Sequence, residues 1–299
     1  MKHLIVIGGA TATGKTAFAI RLARQLKTEI LSADSRQFYR EMSIGTAKPS
    51  PEELATARHH FINSLSVQDN FSVGDFEKAA LQTLATIYQK NDYAILTGGS
   101  GLFLRAVCEG LDAFPEVSDA VKHQVAQGEQ SGGLAWLQTE VARLDPVHFQ
   151  RIDRQNPARL HRALEICLQS GRPYSDYVQK EKSERPFVPH YLLLEWPRQE
   201  LYARIDARVE AMIAAGLEAE AQLLLPYRHL PALKTVGYEE FFDFFDGHIA
   251  RETAIEKIKQ HSRNLAKRQA TWFRKYGDWR VISPKDLEQF QLRGFDQFV

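Results

Sequence analysis

Cysteine is scarce in this sequence: two in 299 residues, Cys108 and Cys167, far apart and in no CxxC pattern. That argues against a disulfide framework and a cysteine-built zinc site, and it fits a reducing compartment, so a cytoplasmic protein is expected. Long apolar runs are missing too. Met1-Lys2-His3 leads into Leu4–Ile7, four strongly apolar residues, before Gly8-Gly9. Such a run is too short for the core of a secretion signal or for a membrane span, and no membrane association is expected. Net charge is nearly absent, a formal +1. Positive charge is local instead. From Arg251 to Arg280 nine Lys or Arg stand against three acids, and from Arg143 to Arg162 five Arg stand against two Asp. These stretches are compatible with a polyanionic partner, although on charge alone a solvated helix face explains them.

What is present is a chain of ordinary globular composition, long enough to bury a core without staples. Leu4–Ile7, closed by two glycines, reads as a buried strand. Lys15–Leu26 carries Phe18, Leu22 and Leu26 at helical spacing. Glu29–Ala33 reads as a second strand, Phe76–Gln89 as a helix and Tyr93–Leu96 as a third strand. Another helix starts at Leu102. Strands alternating with helices predict an α/β fold with a parallel, doubly wound sheet. From Phe114 to Pro189 no convincing strand occurs. Polar helical stretches there are broken at Gly132-Gly133, Asp145-Pro146, Asn156-Pro157 and Gly171-Arg172-Pro173. The expected organisation is a discontinuous core, 1–113 and 190–299, with an all-helical insert at 114–189. Tyr191–Trp196 returns to the sheet, and helices follow at Leu201–Ala215, Leu217–Leu225 and Ala250–Tyr276.

Gly9-Ala10-Thr11-Ala12-Thr13-Gly14-Lys15-Thr16 satisfies GxxxxGK[ST] between a strand and a helix, the context that motif requires. Its glycines let backbone N–H groups wrap an anion at a helix N-terminus, and Lys15 adds a full charge. The Thr16 hydroxyl is suited to Mg²⁺. A P-loop does not by itself choose among ATPases, kinases and other transferases. An ATPase usually carries an acid at the end of a later buried strand. Here the third strand ends in Thr97-Gly98-Gly99-Ser100, and the second in Ser32-Ala33-Asp34-Ser35. Ligands sit at the carboxyl ends of strands in open α/β sheets, so Gly9–Thr16, Asp34 and Ser100 should converge. Asp34 is then a candidate general base, with a helix cap or a turn as the alternative.

These strings, with Leu31–Arg40, Ile44-Gly45-Thr46-Ala47-Lys48-Pro49, His59–Ile62, Phe71–Phe76, Gly98–Ala106, Asn156–Glu165, Val236-Gly237-Tyr238 and Ala266–Phe273, resemble bacterial-type tRNA dimethylallyltransferases. The resemblance spans nearly the whole chain. It implies a P-loop NTPase-like parallel sheet flanked by helices. It also implies transfer of a five-carbon group from dimethylallyl diphosphate to N6 of the adenosine just 3′ of a tRNA anticodon, with diphosphate leaving. Gly9, Ala10, Thr11, Ala12, Thr13, Gly14, Lys15 and Thr16 become the diphosphate- or nucleotide-binding residues, with Mg²⁺ on Thr16. The catalytic residues implied are Asp34 as base, Thr11 at the oxygen bridging carbon and phosphorus, and Arg208 as a clamp on the diphosphate. Arg204, one turn earlier, is the residue most easily confused with Arg208. Implied tRNA contacts are Asp34, Ser35, Arg36, Gln37, Ser100 and Lys122, with Ala158, Arg159, Leu160, His161 and Arg162 and with Lys234, Thr235, Val236, Gly237, Tyr238 and Glu239 on the anticodon stem-loop. The Arg251–Arg280 stretch would contact phosphates. The chain departs from the family pattern at Asn63, where Asp is usual, and at Ser100, where Thr is usual. A monomer is expected. A small-molecule P-loop kinase and a non-catalytic tRNA-binding protein are the competing readings. The missing acid after the third strand weighs against the first, and the intact Lys15, Thr16 and Asp34 weigh against the second.

Overall fold

The computed structural model describes residues 1–178 and 182–290. The last residues of the expected core, 291–299, lie outside that range. Two compact units are present, one built from Met1–Glu109 and the chain from Glu184 onward, the other from Gly110–Ser183.

The first unit is built on six strands: β1 His3–Gly9, β2 Ile30–Ser32, β3 His59–His60, β4 Tyr93–Gly98, β5 Val188–Leu194 and β6 Arg280–Ile282. All pair in parallel, in the order β3-β2-β4-β1-β5-β6. β1 lies inside the sheet and is buried on both faces. Leu4 and Val6 pack with Leu31, Leu96, Phe76 and Phe273 on one side, and Ile5 and Ile7 with Phe18, Leu22, Ile95 and Leu192 on the other. A doubly covered strand has no polar face, which is why its sequence runs apolar without alternation. Each of these side chains contributes about 1.5–3 kcal/mol by leaving water.

The strands alternate with α1 Lys15–Leu26, α2 Pro51–Thr56, α3 Val73–Ile87 and α4 Gly101–Glu109. Capping boxes at Ser50 with Glu53 and at Ser72 with Asp75 start α2 and α3. The second unit holds α5 Asp119–Leu144, α6 Pro146–Arg151 and α7 Pro157–Ser170 around Val125, Leu137, Val141, Leu160 and Leu164. α5 is broken at Gly133, as the Gly132-Gly133 pair predicts. Back in the first unit, α8 Arg198–Ala214, α9 Leu217–Leu224, α10 Glu239–Phe245 and α11 Arg251–Lys275 follow β5. They share a separate apolar cluster around Val209, Leu217, Tyr238, Phe241 and Ile258. α12, Pro284–Gln289, closes the described chain.

Two readings of the sequence need correction. β5 starts at Val188 rather than Tyr191, because Pro189 and His190 sit within the strand and interrupt its apolar run. β3 and β6 were not expected; both are short strands at the sheet's edges, where burial imposes no apolar pattern. Among the described residues, no helix is long and apolar enough to cross a membrane.

Candidate active site

The carbonyls of the loop after β1 are held by side-chain donors. Lys15 Nζ and Thr13 Oγ1 donate to the Ala10 carbonyl at 2.7 and 2.8 Å, Arg204 Nε to Ala12 at 2.8 Å, and Trp196 Nε1 to Thr13 at 3.0 Å. Three carbonyls of the loop are thereby occupied, and the Thr11 N–H is taken by Gln269 Oε1 at 2.9 Å. Ala12 and Gly14 take left-handed φ values of 64° and 90°, the local reversal that gathers successive amides into an anion nest. Gly14 also caps α1 with no side-chain hydrogen bond, leaving that helix's first N–H groups available to an anion. Burial pushes the Lys15 ammonium down to about 8. The Asp34 carboxylate works against that shift and Arg208 adds to it.

Two cavities meet at this loop. One, of about 590 Å³, is lined by Gly14, Lys15, Thr16, Lys48 and Arg204. The other, of about 390 Å³, combines Ser35, Arg36 and Ser100 with the apolar side chains of Ile205, Val209, Met212, Leu217, Ile258 and Leu265. Thr11, Asp34, Thr46, Ala47, Arg208 and Gln269 line both. The anion nest and the half-apolar cavity therefore share one wall, and that wall carries a carboxylate, two hydroxyls and a guanidinium.

Asp34 follows β2, and its Oδ1 accepts the Arg36 N–H at 3.0 Å, which fixes the carboxyl without covering it. Ser100, at the N-terminus of α4, lies 3.4 Å from both the N–H and the hydroxyl of Ser35. Arg208 and Arg204 separate clearly. Arg204 braces Ala12 and lies over the Trp196 ring at 4.1 Å. Arg208 opens on both cavities and reaches Ala47 O at 3.4 Å. Desolvation lowers the Arg208 pKa, and Asp34 opposes the shift.

Several residues expected to touch tRNA also have partners within the chain. Gln37 is buried and bonds to Ser32 and to the Thr46 and Ala47 carbonyls. Arg36 holds the Pro231, Ala232 and Lys234 carbonyls. Tyr238 is fully buried, with its hydroxyl on Glu220 at 2.7 Å. Lys234 and Glu239 are exposed. Thr235, Val236 and Gly237 join them in the wall of the second cavity. In the helical unit Ala158, Arg159 and Arg162 are exposed on α7. Leu160 is buried in that unit's core, and His161 pairs with Glu129 at 2.8 Å. Lys122 is exposed beside Asp119. The basic stretch on α11 is partly neutralised: Arg251, Lys259, Arg263 and Arg274 pair with Glu218, Glu210, Asp206 and Glu195. Arg268 lines the second cavity.

The IPP transferase family profile matches residues 37–276. The chain belongs to the IPP transferase family. A tRNA dimethylallyltransferase of Christiangramia forsetii is 49% identical over 91% of this chain and 90% of its own. One of Flavobacterium johnsoniae is 45% identical over 92% and 91%. The full-length tRNA isopentenylpyrophosphate transferase of Bacillus halodurans superposes with a TM-score of 0.71 at 32% identity, over 97% of this chain and 94% of that one. The family profile starts beyond the P-loop and Asp34, but the relatives cover nine-tenths of the chain, and both features stand where the geometry joins them.

Three residues at or behind the site are given no role by the sequence, although Lys48 and Gln269 stand within the strings Ile44–Pro49 and Ala266–Phe273. Glu220 accepts the N–H groups of Ser43, Ile44 and Gly45 at 2.8–2.9 Å, besides the Tyr238 hydroxyl. Lys48 donates to Asn63 Oδ1 at 2.6 Å, so the departure at Asn63 gives this lysine a neutral partner; burial lowers its pKa to about 8. Gln269 on α11 bonds to the loops after β1 and β4.

Proposed function

We propose that this chain transfers the dimethylallyl group of dimethylallyl diphosphate to N6 of the adenosine 3′-adjacent to the anticodon of tRNA, releasing diphosphate. One observation carries the reading: the wall common to an anion nest and a half-apolar cavity holds Asp34, Thr11 and Arg208 together. A small-metabolite kinase would hold its hydroxylic acceptor with polar groups, whereas the cavity beside the nest is walled by Ile205, Val209, Met212, Leu217, Ile258 and Leu265. A prenyl transfer needs an apolar space, an anion nest and a base, and these are the features present.

The bonds follow from that layout. The allylic carbon–oxygen bond breaks, and its electron pair leaves on the diphosphate. N6 of adenine forms the new carbon–nitrogen bond and gives its proton to the Asp34 carboxylate. The nest, Lys15 and Arg208 stabilise charge that grows on the leaving oxygens, and the Thr11 hydroxyl serves the bridging oxygen. The apolar side chains of the second cavity receive the five-carbon group.

Thr16 is the residue suited to Mg²⁺. Among the described residues no cluster of three or more His, Cys, Asp or Glu could cage an ion. The Thr16 hydroxyl lines the cavity beside Lys15, a donor that fits a cation held by one hydroxyl together with phosphate oxygens and water, the usual arrangement for Mg²⁺ at a phosphate. Bound there, the ion would neutralise leaving-group charge.

On the tRNA side, the exposed Lys122, Arg159, Arg162 and Lys234 are suited to phosphates, and Ser35 and Ser100 to the base. Leu160 and Tyr238 act by holding the backbone around them. Incubation with unmodified tRNA bearing an A-rich anticodon loop and labelled dimethylallyl diphosphate tests the reading. Label in the tRNA supports it. Tight tRNA binding with no label, or phosphoryl transfer from ATP to a small acceptor, would sink it.

A further inference from the structure

Gln269 bridges two loops of the site. It projects from α11, and Oε1 accepts the Thr11 backbone N–H at 2.9 Å while Nε2 donates to the Gly99 carbonyl at 3.0 Å. One amide thus ties the loop after β1 to the loop after β4. The fit is close enough to constrain its neighbour: a Cβ on Gly99 would lie 2.4 Å from Nε2, so any larger residue at 99 displaces the amide. Gln269 also lines both cavities, at the junction that holds Thr11, Asp34 and Arg208.

The consequence for Thr11 is specific. In a phosphate nest the backbone N–H groups point at the anion. The Thr11 N–H points at Gln269 instead, so Thr11 can offer the ligand its hydroxyl but not its amide. An N–H released into the nest would pull on the diphosphate and turn the Thr11 backbone with it.

We infer that Gln269 is a positioning residue for the transfer: it withholds the Thr11 N–H from the anion nest and fixes the Thr11 hydroxyl at the junction of the two cavities. This rests on the proposed prenyl transfer, because only a bond broken at that junction gives the Thr11 hydroxyl something to do. The role predicts a split between chemistry and anion binding. Loss of the clasp should misplace the hydroxyl while leaving the diphosphate as well held as before, or better.

The test uses the full-length chain with Gln269→Met, an isostere of similar length that makes neither hydrogen bond, and Gln269→Glu, which keeps the acceptor for Thr11 but not the donor to Gly99. Transfer of label to tRNA gives kcat and the KM for dimethylallyl diphosphate, and calorimetry with inorganic diphosphate gives its Kd. For Gln269→Met, kcat should fall about 10–100-fold, the scale for a misplaced reacting group. The diphosphate Kd should stay unchanged or tighten up to about 5-fold, as one gained hydrogen bond allows. Gln269→Glu should recover kcat to within about 3-fold of the parent with a raised donor KM, since its charge opposes the diphosphate but its oxygen still holds Thr11. A Gln269→Met kcat within about twofold of the parent overturns the inference. So does a parallel loss of kcat and diphosphate affinity, which would mean Gln269 only folds the nest. If Gln269→Met does not fold, Gln269→Glu decides: a kcat loss as large as its KM change overturns the role. A parent enzyme that moves no label overturns the functional reading itself, an outcome distinct from either variant result.

Discussion

Lys15 is folded back onto its own loop, its ammonium 2.7 Å from the Ala10 carbonyl, and burial lowers its pKa to about 8. An arriving diphosphate gives that ammonium a better partner, and binding should favour its protonated form. Affinity for a non-reactive thiolo analogue of dimethylallyl diphosphate should fall as pH rises through about 8, and Lys15→Ala should weaken binding and flatten the change. The free protein should show the opposite sign in stability. The folded pKa lies below the unfolded 10.5, so the unfolded chain binds more protons between about 8 and 10.5, and the Lys15 contribution to stability rises with pH across that window. Calorimetric titration and urea melts over that pH range check both.

The carboxylate of Glu220 takes four donors: three successive amides of the loop Ser43–Gly45 and the buried Tyr238 hydroxyl. Glu220→Ala strands those groups. A loss of about 1–3 kcal/mol is expected, because the buried Tyr238 hydroxyl and the half-buried Ile44 and Gly45 amides lose their acceptor, whereas the exposed Ser43 amide can turn to water. Hydrogen exchange at Ser43–Gly45 should accelerate with it. A variant that melts like the parent, with protected amides, contradicts the assignment of Glu220 as the loop's anchor.

Much of the fold and site was legible from residues close together in the chain. The P-loop could be read because its glycines, lysine and threonine sit within eight positions between a strand and a helix. β1 could be read because burial on both faces removes every polar residue from Leu4 to Ile7. Glu220 left no such trace, and Gln269, although inside the string Ala266–Phe273, shows no role there. Their partners lie 175–177 and 258 residues away, and a long-range hydrogen bond imposes no spacing. The insert's helices were legible from their breakers, but Leu160 was taken with its exposed neighbours because a motif string does not show which side of α7 faces the core.

Arg204 and Arg208 lie one turn apart and should respond differently. Arg208→Ala removes a guanidinium from the junction and should lower kcat/KM by about 100-fold or more with little change in melting, the scale of a lost charge-stabilising donor. Arg204→Ala removes the brace on the Ala12 carbonyl and the cover of Trp196, so melting temperature and diphosphate affinity should both drop. Thermal melts alongside steady-state kinetics separate the two; matching profiles would remove the distinction.

Arg159 and Arg162 are exposed on α7, and their replacement by alanine should leave the fold intact. If each neutralises a tRNA phosphate, the slope of log affinity against log salt should flatten by about one unit per arginine removed. Filter binding at several salt concentrations measures the slope, and an unchanged value means neither arginine touches a phosphate.

The central claim concerns Asp34, a carboxylate at the end of β2 on the wall shared with the anion nest. Asp34→Asn keeps the shape and the acceptor for the Arg36 N–H but cannot take a proton from N6. Single-turnover transfer of labelled dimethylallyl to saturating tRNA, compared between parent and Asp34→Asn, reads that step directly. The account predicts a fall of about 100-fold or more, with tRNA and diphosphate affinities within a few-fold of the parent. Transfer at the parent rate would show that the proton leaves by another route and would contradict the account.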